Sequence, residues 1–135
     1  MNRAEEQIQR SVFQHLRARG MPGVFAFHPA NGGKRTKAEA GIFKAIGVVA
    51  GTPDVIAIYR GAVHALELKA LRGRVTPLQK AAMDALEQAG ARVAVAYTLD
   101  EALITLEFWG LLRRDKGRSV PHRVPSSAGA GERVG

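Results

Sequence analysis

The stretch from Gly51 to Lys69 restricts the possible folds more than any other part of this 135-residue chain. It opens Gly51-Thr52-Pro53-Asp54 and continues as the apolar run Val55-Ile56-Ala57-Ile58-Tyr59. Arg60-Gly61 interrupts it, and Val63-His64-Ala65-Leu66-Glu67-Leu68-Lys69 follows. Two apolar runs joined by a short glycine-containing connection predict an antiparallel β-hairpin. Side chains alternate along a strand, so Ala65, Glu67 and Lys69 share one face while His64, Leu66 and Leu68 share the other. A carboxylate and an ammonium in an otherwise apolar strand are expensive to bury unless something pairs with them. Asp54 opens the partner strand, which allows its carboxylate to lie near Glu67. Two nearby carboxylates repel, and a bound divalent cation relieves the repulsion. Two oxygen donors with open positions suit Mg2+ or Mn2+. A salt-bridged strand pair is the simpler account of the same three residues.

Around this hairpin the chain alternates helix and strand signals. Residues 3–19 have helical periodicity, with Ile8, Val12, Phe13 and Leu16 as the apolar stripe. Glu5 falls near the centre of that stripe, whereas Glu6 lies with Arg10 and Arg17 on the wet side. Glu5 is either a first-turn acid favoured by the helix dipole or a third acidic group aimed at the hairpin site. Val24–His28 reads as a short strand. The loop Asn31-Gly32-Gly33-Lys34-Arg35, with Lys37 beyond it, is either a solvated connection or a phosphate-contacting loop. Thr36-x-x-Glu39 is a capping box that opens a helix to about Ile46, closed by Gly47. Ile42, Phe43 and Ile46 are expected to face the core, with Lys44 off that face and free to reach a phosphate.

Ala70-Leu71-Arg72-Gly73-Arg74 is a basic loop. Thr76-Pro77-Leu78-Gln79 then places Pro at the first helical position and Gln at the third, a second capping box. That helix carries Ala82, Met83 and Leu86 and ends at Gly90. Arg92–Tyr97 reads as a strand. Thr98-x-x-Glu101 opens a last helix expected to carry Leu103, Leu106, Trp109 and Leu112, with Trp109 in the core or at a dimer interface.

The length fits one domain, and 46% hydrophobic residues suffice for a core. No cysteine is present, which excludes disulfides and thiolate metal sites. No apolar run is long enough to span a membrane and no signal-peptide pattern opens the chain, so a cytoplasmic protein is expected. The net charge is +8, and residues 113–135 supply half of the excess. Such a balance favours polyanions, nucleic acid among them. Residues 1–112 are read as the folded domain and 113–135 as a flexible basic tail.

Pro53-Asp54, a hairpin, and Glu67-x-Lys69 resemble the PD-(D/E)xK nuclease superfamily. The longer arrangement adds Gly51, Arg74-x-Thr76-Pro77-x-Gln79 and Gly90, and with these the chain resembles the VRR-NUC family over roughly residues 4–112. Small stand-alone members occur in phages and bacteria. The resemblance implies an α/β fold with a restriction-endonuclease-like αβββαβ core, a mixed central sheet flanked by helices and residues 37–46 as an insertion. It implies a metal-dependent DNA endonuclease in a bacterial or phage-infected cell. Asp54, Glu67 and the Leu68 backbone carbonyl would be the Mg2+ or Mn2+ ligands, and Lys69 a fixed charge beside them. Glu5, four residues before Gln9, would support the metal from the first helix, and Gln79 would lie at the edge of the site. Asn31, Lys34, Arg35, Lys37, Lys44, Arg72 and Arg74 would contact nucleic acid. Branched DNA such as a four-way (Holliday) junction, cut by a homodimer, is the implied substrate. Two other readings are a non-catalytic nucleic-acid-binding module and an RNA-cleaving nuclease on the same scaffold.

Overall fold

The computed structural model describes residues 2–30 and 36–114. Asn31, Lys34, Arg35 and nearly all of the expected basic tail, from residue 115 on, lie outside them. The elements follow the order α1 (Arg3–Arg19), β1 (Phe25–Phe27), α2 (Lys37–Ala45), β2 (Val55–Tyr59), β3 (Ala62–Leu68), α3 (Pro77–Gln88), β4 (Arg92–Ala96) and α4 (Leu99–Phe108). The strands form one sheet in the order β1-β2-β3-β4. The first two pairings are antiparallel and β3–β4 is parallel, with α3 as the crossover. This is the expected αβββαβ core with α2 inserted.

The hairpin turn follows from local sterics. Arg60 (φ 51°) and Gly61 (φ 80°) both occupy the left-handed region, as a two-residue hairpin turn requires. The strand alternation then sorts two cores. Leu66, Leu68, Val55 and Ala57 pack with Val12 of α1 and with Leu103 and Leu106 of α4. Ala65, Val93 and Val95 pack with Met83 of α3 on the opposite face. Each fully buried Leu or Met contributes roughly 1.5–3 kcal/mol relative to exposure. His64 lies on the α1/α4 face, with its Nδ1–H directed to the Ala57 carbonyl at 3.2 Å and its ring 5.2 Å from that of Trp109. Trp109 caps α4 and packs on this core.

Three expectations change. The third concerns α2, and the first two are element ends. β1 is only three residues long. α4 ends at Phe108, and Leu112 lies beyond it in an isolated bridge with Gly20. No residue of α2 is buried: Ile42 is 60% exposed, and Ile46, the C-cap just beyond it, is 70% exposed. The pattern correctly shows that one face of α2 is apolar, but both sheet faces near it are already claimed by α1, α4 and α3. Only Phe43 is half-buried, and it borders an apolar cleft toward Ala82 and Ala85 of α3. Ile46→Ser should therefore change stability by no more than about 0.5 kcal/mol in a denaturant titration. A core isoleucine would show several times that effect.

Candidate active site

The site forms where the ends of several elements meet. β2 and β3 pair Val55 with Leu66, and one further residue in that register sets Asp54 beside Glu67. Asp54 is anchored there because the Leu68 N–H donates to its Oδ2 at 2.9 Å. His28 reinforces the segment through Nδ1–H to the Asp54 carbonyl at 2.7 Å, a supporting contact and not that of a metal ligand. Pro53 is fully buried.

Gly51 explains the start of the motif. Its φ is +80°, and a Cβ there would stand 2.7 Å from the carbonyl carbon and oxygen of Leu78 and 2.8 Å from the Gln79 nitrogen. The Gly51–Asp54 segment thus runs directly over the first turn of α3, closer than any side chain permits. Gly51→Ala should destabilise the protein by about 2–4 kcal/mol, since it combines backbone strain with a backbone clash. A thermal melt checks this, and a change under about 0.5 kcal/mol would contradict the packing.

Glu67 and Lys69 project from the same face of β3. Glu67 is 2% exposed, and Lys69 is buried as well. Lys69 Nζ lies 3.7 Å from Glu67 Oε2, an ion pair longer than a hydrogen bond. Glu67 Oε1 is buried and has no hydrogen-bond donor among the described residues. Burial, followed by the nearby Asp54 charge, pushes the Glu67 carboxyl from 4.5 up to about 8, against the opposing pull of Lys69. Burial also raises Asp54, although the Leu68 N–H, His28 and Lys69 counteract it.

Glu5 reaches the same place from α1. It is buried, and its charge raises both Asp54 and Glu67. Its Oε2 accepts from the Ala70 N–H at 3.2 Å and from Asn2 Nδ2 at 3.2 Å. Asn2 is the N-cap of α1 and also accepts the Glu5 N–H at 2.8 Å. Sequence reasoning passed over Asn2, although Asn-x-x-Glu is visible capping spacing. Gln9, one turn beyond Glu5, carries a buried Oε1 without a donor among the described residues.

Gln79 does what its capping box requires: its Oε1 accepts the Thr76 N–H at 2.9 Å, and its own N–H goes to Thr76 Oγ1. Its backbone lies under Gly51, which keeps it at the border of the site. Arg72 and Arg74 are exposed in the loop directly after Lys69. Lys37 and Lys44 are exposed on α2, and Lys44 borders the cleft beside Phe43.

Among the described residues, no three His, Cys, Asp or Glu side chains are grouped closely enough to enclose a metal by themselves. Asp54 and Glu67 supply two carboxylates, a donor set that leaves coordination positions for water and phosphate. A divalent cation fits this set on chemical grounds. Burial is the first cause of the raised Glu67 and Asp54 carboxyls, the Asp54 charge adds to it at Glu67, and Glu67 Oε1 has no partner among the described residues; a cation bound there would relieve all three.

A mixed sheet between helices, with a hairpin that brings Pro53-Asp54 to Glu67-x-Lys69, is the arrangement of the PD-(D/E)xK nuclease superfamily. The VRR-NUC domain model matches residues 3–99, and the chain belongs to that nuclease family. A solved structure described as a VRR-NUC domain protein superposes with a TM-score of 0.66 at 27% identity, over 85% of this chain and 95% of its own. No curated protein matches the chain. Among the described residues no helix is long and apolar enough to cross a membrane.

Proposed function

We propose that this chain is a divalent-metal-dependent DNA endonuclease that cuts branched DNA, four-way junctions included, as a homodimer. The observation that carries the reading is Glu67: a buried carboxyl raised to about 8, with one oxygen unpartnered among the described residues, beside Asp54 and Lys69. Asp54, Glu67 and the Leu68 carbonyl would hold Mg2+ or Mn2+, and Glu5 would act from its outer side. The ion, when bound, supplies an activated water and polarises the phosphate. Lys69 holds a fixed positive charge where the developing anion forms, in a site from which water is largely excluded. Gln79 keeps the Gly51–Asp54 segment and the first turn of α3 in register. Arg72 and Arg74, exposed in the loop directly after Lys69, would contact neighbouring phosphates, as would Lys37 and Lys44 of α2. Asn31, Lys34 and Arg35, outside the described residues, are the remaining proposed nucleic-acid contacts. The work would be done in the cytoplasm of a bacterial or phage-infected cell.

The homodimer reading draws support from the edge of the sheet. Phe25, at 63% exposed, is cross-strand neighbour to Ile58, which is also exposed, and its ring lies 5.8 Å from that of Phe27. An apolar edge strand of this kind is usually covered by a partner. Light scattering across a concentration series checks it, and a monomer mass throughout would count against the dimer.

The deciding experiment incubates labelled four-way junction, flap, linear duplex DNA and RNA with Mg2+, Mn2+ or EDTA. Metal-dependent cutting of branched DNA alone supports the full proposal. Cutting of every DNA keeps the nuclease and removes the branch preference. Preferred cutting of RNA moves the reading to a ribonuclease. Binding without hydrolysis under any metal moves it to a non-catalytic module.

A further inference from the structure

The turn after Lys69 is held rigidly, and an apolar side chain stands at its tip. The Gly73 N–H donates to the Ala70 carbonyl at 2.8 Å, which closes a turn with Leu71 and Arg72 at its centre. Arg72 has φ 69°, in the left-handed region that residues with a Cβ seldom enter. A Cβ on Gly73 would stand 2.9 Å from the Ala70 oxygen. Behind the turn, the Ala70 N–H is bound to Glu5. These contacts close the turn and anchor its base. Leu71 there is 72% exposed, with exposed Arg72 and Arg74 close by in the chain.

Leu71 is also one wall of a cleft of about 580 Å3. Ala4, Ile8 and Ser11 of α1 form a second wall, and Thr98 and Leu99 at the start of α4 form a third. The cleft opens where the parallel strands β3 and β4 end, the usual ligand position in a parallel sheet. Two of its lining residues, Ala4 and Ala70, are the chain neighbours of Glu5 and Lys69, and the Ala70 N–H is bound to Glu5.

We propose that Leu71 is a wedge that enters DNA at a branch point and directs an unpaired base next to the cut into the cleft between α1 and α4. The inference rests on the nuclease reading above. That reading places the reacting phosphate at Asp54, Glu67 and Lys69. Arg72 and Arg74 attract the next phosphates, and the strand must then cross the tip of the turn. A strand on that path meets Leu71 with its bases. Apolar side chains inserted at a base step unstack it. In continuous duplex the unstacking opposes binding, whereas at a branch point the step is already open. A fixed wedge therefore favours branched over continuous DNA without reading sequence. The cleft has largely apolar walls, as a base requires, and the flanking arginines match the charge of the backbone.

The test uses the full chain carrying Glu67→Gln, which should bind without cutting. It is mixed with a four-way junction that has 2-aminopurine next to the cleavage position. Binding should raise the fluorescence, and adding Leu71→Ala should remove most of the rise. In the otherwise parental chain, Leu71→Ala should slow junction cleavage about tenfold while leaving a pre-opened, gapped substrate within about twofold. Leu71→Met should restore both signals. Leu71 is exposed, so its variants should fold normally. A rise that persists in Leu71→Ala, or a bound junction with no rise, overturns the wedge. Metal-dependent cutting by the parental chain, scored in the same assay, then shows that the nuclease reading still stands. Absence of that cutting overturns the nuclease reading and the wedge together.

Discussion

Replacing Glu67 with glutamine is expected to reduce metal-dependent cleavage by about a thousandfold or more while leaving the fold intact. Glutamine keeps the size and shape of the side chain but removes the negative charge that faces Asp54. Glu67 is the sharper choice for this test because of its surroundings. Asp54 accepts the Leu68 N–H, so Asp54→Ala would leave a main-chain donor without its partner, a loss of about 1–3 kcal/mol that mixes stability with activity. Among the described residues Glu67 Oε1 accepts no hydrogen bond, and its Oε2 is only loosely paired with Lys69. Without metal, the glutamine variant should be at least as stable as the parent near pH 8, because it no longer buries a reluctant carboxylate. Single-turnover cleavage and a denaturant titration on the same preparation check both halves. Retained cleavage in Glu67→Gln would remove this residue from the site and with it the two-carboxylate account of the metal.

Metal-free protein should become less stable as pH rises from about 4.5 toward 8, and a divalent cation should reverse the loss. Glu67 has an ordinary value of 4.5 and is held near 8 in the folded chain. Between these values the native state keeps a proton that the unfolded chain has released. The native state binds more protons, so stability falls as pH rises. The contribution is complete below 4.5 and is gone once the pH passes about 8. Asp54 is raised too and acts in the same direction. The combined effect should be on the order of a few kcal/mol, or roughly ten degrees in Tm for a domain of this size. Mg2+ or Mn2+ competes with the proton for the same oxygens, so its stabilisation should be small at pH 5 and largest near pH 8. Thermal melts across pH, with and without metal, check this, and Glu67→Gln should flatten both dependences. His64 gives an opposite signal at the acid end. Burial lowers its pKa, so its contribution is present above 6.5 and is lost as pH falls through the lowered value. A metal effect independent of pH would mean that the cation binds elsewhere.

Much of the site could be read from the chain because its constraints are local. Two-residue alternation in β3 places Glu67 with Lys69, and the Arg60-Gly61 turn fixes the pairing that brings Asp54 alongside. Helical spacing in α1 picks Glu5 over Glu6, and Glu5 is indeed the buried one. The capping boxes at Thr36 and Thr76 form as spaced, because each needs only four consecutive residues. The α2 face fails for the opposite reason. Periodicity in Ile42, Phe43 and Ile46 reports that a helix has an apolar side, and it carries no information on whether another element lies over that side.

The sequence by itself determined the hairpin, the order of helices and strands, the caps, and which residues belong to the carboxylate–lysine set. Only the tertiary structure decided how those residues are held and charged. The Leu68 N–H on Asp54, the Glu5 carboxylate against Ala70, and the passage of Gly51 over α3 are contacts between segments distant in sequence. The raised carboxyl of Glu67 is likewise a property of burial from all sides. The same holds for the exposed face of α2 and for the cleft that Leu71 shares with α1 and α4. Spacing along a chain fixes what neighbours do to each other, whereas desolvation and close approach depend on which distant segments the fold brings together.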